Sequence, residues 1–508
     1  MTLRRLAGET MIYGTGYILG KVLNYLLITV YLTWKFDGEQ DQYGLYTDFY
    51  FYVALILVLL TLRMETTFFR FGSETGQTSR AFGQAALTLT GTALLWTAFV
   101  VLCKDPIAAA LQYPGYETHV LVLGLILTMD VLVAIPFASL RLEQRPVRFA
   151  VLKIAGIAIN IVAVLVFLEV LPRLAAGGSD WAARMYNHDN RLLYVFMANL
   201  IGSASVFLFF LPRYLKVRWV WDPVLLRKML AYTLPLIVVG LAGVINQSSY
   251  ITFQKHILPN SLTENLSAGG VYAAATRIAI IMSLFITAFN YAAEPFFFQH
   301  ARHKDAKTIY ADVARAFAVA GSVLFVVIMM YLDVIQLILG RSFREGLAVV
   351  PILLLAFFFL GLYYNFSIWY KITDRTRYGA LISGIGAIIT IVLNVLLIRE
   401  LEVIGSAWAA LACYVFMAGA CYLIGRKFFP VPYRLGRILI LISLACLTFF
   451  ASESIRPLLD GQLWLILLVN TGLLILFVGI VYRLEKGLIR SVVQPTPGPS
   501  LDKGGESD

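Results

Sequence analysis

Again and again this chain returns to a block of about twenty mainly apolar residues, the length an α-helix needs to cross a hydrocarbon layer of roughly 30 Å. The blocks fall at about 10–34, 44–69, 83–103, 118–140, 149–171, 191–212, 230–256, 270–298, 310–332, 347–370, 379–398, 404–425, 435–453 and 462–483. In a bilayer every backbone amide must be satisfied within its own segment, so such blocks imply helices. The alternating pattern of an outer-membrane barrel is absent. Composition agrees: 59% of the 508 residues are hydrophobic and 14% are charged, against about 25% charged in a soluble domain. The expected class is all-α, a polytopic membrane protein of about 14 transmembrane helices.

The net charge of +11 invites a nucleic-acid reading, but the basic residues sit mostly in loops and no soluble basic domain exists to bind nucleic acid. With the N-terminus placed inside, cytoplasmic segments hold 26 Lys and Arg and outer segments hold 10. That asymmetry supports fourteen spans with both termini cytoplasmic. The N-terminus has no short apolar region followed by a small-residue cleavage site, so the first helix is expected to be retained. Cys103, Cys413, Cys421 and Cys446 lie in apolar blocks with no metal-ligand spacing, so neither a disulfide nor a metal site is expected. No nucleotide fingerprint is present, and no cofactor is implied.

The basic, aromatic stretch Arg213 to Lys228 is expected to lie along the membrane surface and to divide the chain. The resulting organisation is 1–215 as an N-lobe (helices 1–6), 216–229 as an interfacial linker, 230–428 as a C-lobe (helices 7–12), 429–487 as helices 13 and 14, and 488–508 as a disordered tail. Weak internal similarity, such as YGLY at 43–46 and GGVY at 269–272, fits two six-helix lobes with a site between them. Helices 13 and 14 carry almost no intramembrane charge and read as peripheral.

Polar side chains inside the apolar blocks are expensive and mark function or pairing. On helix 1, Tyr13, Tyr17, Lys21 and Asn24 share one face. On helix 2 the stripe Asp48, Tyr52, Arg63, Arg70 runs from one end to the other. Helix 7 supplies Asn246, Gln247, Ser248, Ser249 and Tyr250, and helix 8 supplies Arg277, Thr287, Asn290 and Glu294. Lys21, Arg63 and Arg277 thus come from both lobes. Converging cations suit an anionic ligand, with arginine giving bidentate bonds to phosphate. An exporter of organic cations is expected to use acids. Buried Asp130, Lys153 and Arg315 remain, with Asp48, Asp130 and Glu294 as candidates for ion or proton coupling. The outer loop holding Asp180, His188 and Asp189 is too small and too isolated for a glycan ligase or polymerase site, and no enzyme is expected.

Three segments carry a family resemblance: YGLYTDFYFYVALILVLLTLRMETTFFRF at 43–71, GGVYAAATRIAIIMSLFITAFNYAAEPFFFQ at 269–299 and LNVLLIRELEVIGSAWAALACYVF at 393–416. The chain resembles the oligosaccharide (polysaccharide) flippases of the multidrug/oligosaccharidyl-lipid/polysaccharide exporter superfamily, which include relatives of the lipid II flippases. The resemblance implies a V of two six-helix lobes and alternating access. It also implies movement of a polyprenyl-pyrophosphate-linked oligosaccharide from the inner to the outer leaflet of a bacterial inner membrane. Lys21, Arg63 and Arg277 match the helices (1, 2 and 8) whose cations line the lipid II flippase cavity. Helix 1 carries one cation here rather than several arginines, so the lipid II substrate is not carried over. On this reading Lys21, Arg63, Arg277 and Arg70 hold the pyrophosphate. Tyr13, Tyr17, Tyr52, Asn246 and Tyr250 offer sugar contacts, Asn24 is a further substrate-binding residue, and glycosyltransferases or a glycan polymerase are expected partners. A cation-coupled drug exporter is the alternative on the same fold.

Overall fold

The computed structural model describes residues 19–73, 78–217, 219–300, 305–373, 375–459 and 461–493, with side chains described at all of these except 291–292, 294–296, 298–300 and 488–493. Among them every regular element is helical. In chain order the helices are α1 (19–35), α2 (Gln40–Gly72), α3 (Thr78–Ala110), α4 (Glu117–Leu142), α5 (Pro146–Ala176), α6 (His188–Leu215), α7 (Pro223–Ser248, continued by Tyr250–Ile257) and α8 (Leu262–His300). There follow α9 (Ala306–Met330), α10 (Arg341–Ile372), α11 (377–401), α12 (403–428), α13 (Leu435–Leu459) and α14 (Leu463–Val493). Among the described residues, each apolar block of the sequence falls on one of them, the first block from residue 19 onward. The last two blocks before α13 form one run, Arg377–Phe428, broken only at Glu402, whose φ of 52° reverses the chain. Helix α14 continues to Val493, past the boundary at 488 expected from the sequence.

Two boundaries differ from the sequence reading. Helix α2 is not one continuous stripe. Leu62 (φ 49°) and Arg63 (φ 51°) are both left-handed, which splits it into Gln40–Thr61 and Met64–Gly72. Left-handed backbone costs an L-residue about 1–2 kcal/mol, and no glycine or proline signals the break. The linker is also shorter than expected. Helix α6 runs to Leu215 and α7 starts at Pro223, where the Asp222 carboxylate accepts from the Val224 and Leu225 amides at 3.1 and 3.0 Å. Asp222 also pairs with Arg80 of α3, and its amide donates to buried Gln84 at 2.7 Å. The short connection is docked on α3, with Trp219 and Trp221 exposed.

The helices pack in two sets. Helices α3, α4, α5 and α6 interlock, as do α7, α8, α10, α11 and α12. Helices α13 and α14 lie on α9. They are not free of charge contacts, because α14 Glu485 is 2% exposed and bonds Arg315 of α9 at 2.7 Å. Helix α2 joins the sets, packing on α7 and α8. Its contact with α8 is backbone to backbone: a Cβ on Gly44 would overlap the Leu266 carbonyl, and one on Gly270 the Gln40 carbonyl. This close approach closes one end of the bundle, here called the Glu39 end. The opposite end carries Asp222.

Gly44→Val is therefore expected to destabilise the protein by about 1–3 kcal/mol through overpacking. The readout is the melting temperature in detergent, and Gly243→Ala, beside open space, is expected to leave it unchanged.

Candidate transport site

Three cavities share walls through the middle of the molecule. The first, of 350 Å³, is lined by Asn24, Tyr46, Tyr50, Tyr250, Thr276 and Arg277 among others. Asn24, Asn160 and Asn199 are common to it and to a second cavity of 340 Å³ that holds Lys21. Asp130, Val133, Phe137 and Lys153 are common to the second and to a third of 610 Å³, which holds Arg63, Glu65 and Arg141. The passage so formed runs from the α2 break to Arg277 and draws on helices α1, α2, α4, α5, α6, α7 and α8, with Phe357 of α10.

The structure places the expected residues unevenly along it. Lys21 Nζ is 3.5 Å from Thr287 Oγ1 of α8, so helices α1 and α8 do face each other. Arg277 is enclosed by Tyr43, Tyr46 and Tyr250, and its Nε is buried without a hydrogen-bond partner. Arg63 is exposed to the third cavity and reaches across to α7, where a Cβ on Gly240 would lie 2.6 Å from its Nη2. Arg70 sits at the Asp222 end with its guanidinium 4.5 Å from the Tyr232 ring centre. Asp130 accepts from Ser203 at 2.9 Å and lines two cavities. Asn246 points elsewhere: it accepts from Thr390 at 3.0 Å in a buried polar cluster with Asn394 inside the second helix set. Tyr13, Tyr17 and the Glu294 side chain lie outside the described residues.

Asp48 and Tyr52 are not part of the passage. Asp48 and Lys255 form an ion pair at 3.0 Å with both side chains 0% exposed. Tyr113 and Thr252 donate to the same carboxylate, and Lys255 also donates to the Leu111 carbonyl at 2.9 Å. The Lys255 ammonium lies 4.1 Å from the Tyr113 ring centre and 5.8 Å from that of Tyr52. Lys255 falls at the very end of the apolar block at 230–256 and is not singled out by the sequence. Its partner is 207 residues away, and nothing local signals the pair. The node ties α2 and the α3–α4 turn to α7 at the Glu39 end.

Two further cations belong to the site that the sequence does not single out. Arg141 reads as a loop arginine and Lys153 as an isolated buried charge, yet both line the Arg63 cavity. A contrast with the rest of the chain gives them meaning. Lys35, Arg80, Arg191, Arg213, Lys255, Arg315 and Arg456 each pair with a carboxylate. Among the described residues, Arg63, Arg141, Lys153 and Arg277, all on cavity walls, form no ion pair.

No protein-family model matches the chain, and no curated protein matches it in sequence. Solved structures do share its fold. One is described as lipid II flippase MurJ in an inward closed conformation, with a TM-score of 0.69 at 14% identity over 94% of this chain and 100% of that one. Another is the inward-facing conformation of a multidrug resistance MATE family transporter of the MOP superfamily, with a TM-score of 0.59 at 14% identity over 83% and 95% of the two chains. A third is the outward-facing conformation of such a MATE family transporter, with a TM-score of 0.57 at 14% identity over 86% and 96%. At these identities the likeness is one of fold. The chain is a multi-pass membrane protein that shares its fold with these flippase and transporter structures.

Removing one member of a buried ion pair leaves the other charge stranded, at about 3–5 kcal/mol. Asp48→Leu and Lys255→Met are each expected to lower the unfolding temperature markedly. The double variant is expected to recover much of the loss, because an apolar pair of similar volume replaces both charges.

Proposed function

We propose that this protein is a flippase of the bacterial inner membrane. It would move a polyprenyl-pyrophosphate-linked oligosaccharide to the outer leaflet by rocking the two helix sets about α2, with both termini cytoplasmic. The observation that carries the reading is the set of cations without carboxylate partners along connected cavities. A cation at bilayer depth costs about 2.5–3.5 kcal/mol on insertion scales, so four of them kept unpaired imply a wet cavity and a ligand of opposite sign. The fold of a lipid II flippase supports the same class of cargo. Arg63 and Arg277 then bind phosphate oxygens through charge-assisted bonds, Lys21 adds a point charge between them, and Arg70 attracts the headgroup at the mouth. Asn24 and Tyr250 offer hydrogen bonds to sugar hydroxyls. Asn246 shapes α7 from behind, and glycosyltransferases or a glycan polymerase supply and consume the cargo. Asp130 faces Lys153 across the shared wall and is the acid best placed to couple transport to a cation or proton.

A hydrogen bond to a charged group is worth about 1.5–3 kcal/mol, a tenfold to hundredfold change in affinity. Arg63→Ala and Arg277→Ala, expressed at wild-type levels, are expected to reduce export of surface glycan in cells to that extent. Export at the wild-type rate in both variants would remove the anion-binding role.

A further inference from the structure

The 610 Å³ cavity lies between α2, α4 and α5; it shares Asp130, Val133, Phe137 and Lys153 with the Lys21 cavity but has neither Lys21 nor Arg277 in its lining. Its cations are held in an unusual way. The Arg141 guanidinium lies 4.6 Å from the Phe69 ring centre, and the Lys153 ammonium 4.2 Å from that of Phe137. Phe137 is itself braced by Phe149 and Phe210, with ring centres at 5.4 and 5.0 Å. An aromatic face orients a cation without neutralising it and leaves its N–H donors unspent. Arg63 is fixed differently. The left-handed break throws it off the helix, and Gly240 gives its guanidinium room against α7.

Two acids share the cavity, Glu65 and Asp130. Neither comes within ion-pair distance of the three cations among the described residues, and Asp130 is already engaged by Ser203. Beside the charges runs an apolar strip of Leu57, Val58, Val133 and Ala134. The cavity therefore offers two planar forks and one ammonium over an apolar floor. Lys153 belongs both to this cavity and to the one holding Lys21.

We infer that this side chamber is the loading station for the cargo, a binding site for the diphosphate of a prenyl diphosphate. Arg63, Arg141 and Lys153 take the diphosphate, and the apolar strip takes the first isoprene units. Lys153 then passes the anion to the Lys21 and Arg277 cavities. The inference rests on the anionic-headgroup reading above but assigns it to residues on α4 and α5. Three cations also set a preference for diphosphate over monophosphate.

The test measures binding of farnesyl diphosphate to the purified full-length protein in detergent, by calorimetry, with farnesyl monophosphate and inorganic pyrophosphate as comparison ligands. Wild type is expected to bind farnesyl diphosphate at least tenfold more tightly than either comparison ligand. Arg141→Ala and Lys153→Met are each expected to weaken it about tenfold or more. Lys153→Arg is expected to restore binding to within about threefold, which separates lost charge from lost fold, and Arg173→Ala at the far end serves as a control. Wild-type binding in Arg141→Ala and Lys153→Met, with loss only in Arg277→Ala, overturns the loading station and leaves the flippase reading standing. Pyrophosphate binding as tight as farnesyl diphosphate overturns the lipid source. No binding of any of the three by wild type overturns the anionic-headgroup reading itself.

Discussion

The close approach of α2 to α8 at the Glu39 end governs how the two helix sets meet. It depends on Gly44 and Gly270, where backbone replaces side chain, and on the buried pair Asp48–Lys255 beside them. Two charges taken wholly out of water repay their desolvation only when every remaining lone pair and proton is satisfied. Tyr113, Thr252 and the Leu111 carbonyl do this. The result is a directional lock rather than a greasy contact: it fixes the register of α2 against α7 and α8. Toward the other end α2 touches the second set through Arg63, Arg70 and Phe71 on α7, and the passage opens between these two regions.

Charge pairing divides the cations of this protein into two populations. Outside the passage, the cations Lys35, Arg191, Lys255, Arg315 and Arg456 are held by acids and serve structure. Along the passage Arg141 and Lys153 rest on rings and Arg277 lies among tyrosine hydroxyls, which position charge without cancelling it. The cavity surfaces therefore stay electropositive inside a low-dielectric body, where fixed charge acts most strongly. The break at Leu62–Arg63 belongs to the same design. Its strain is retained where a guanidinium must leave the helix surface and cross to the other set.

Much of the fold was legible because a bilayer enforces it. Twenty apolar residues admit one solution, and the described part of every block is built from helix. Lys21, Arg63 and Arg277 were legible for the opposite reason, as charges that violate the same rule. What the sequence hides is pairing across distance. Asp48 looks like a coupling acid until Lys255, 207 residues on, is found against it. Helix α14 looks charge-free until Glu485 meets Arg315. Arg141 and Lys153 look incidental until the packing of α2, α4 and α5 brings them to the Arg63 cavity. The break in α2 was illegible because neither glycine nor proline marks it and tertiary contacts alone sustain it.

The central claim is that an anionic, lipid-linked headgroup travels this passage. It is tested most directly in proteoliposomes of the purified protein, with a short-chain polyprenyl diphosphate bearing a fluorescent sugar in one leaflet and a membrane-impermeant quencher outside. The account predicts that wild-type protein exposes the fluorophore to the quencher far faster than protein-free vesicles. It also predicts that the same vesicles do not accumulate an organic cation such as ethidium under an imposed proton gradient. Gradient-driven movement of ethidium with no movement of the diphosphate would contradict it.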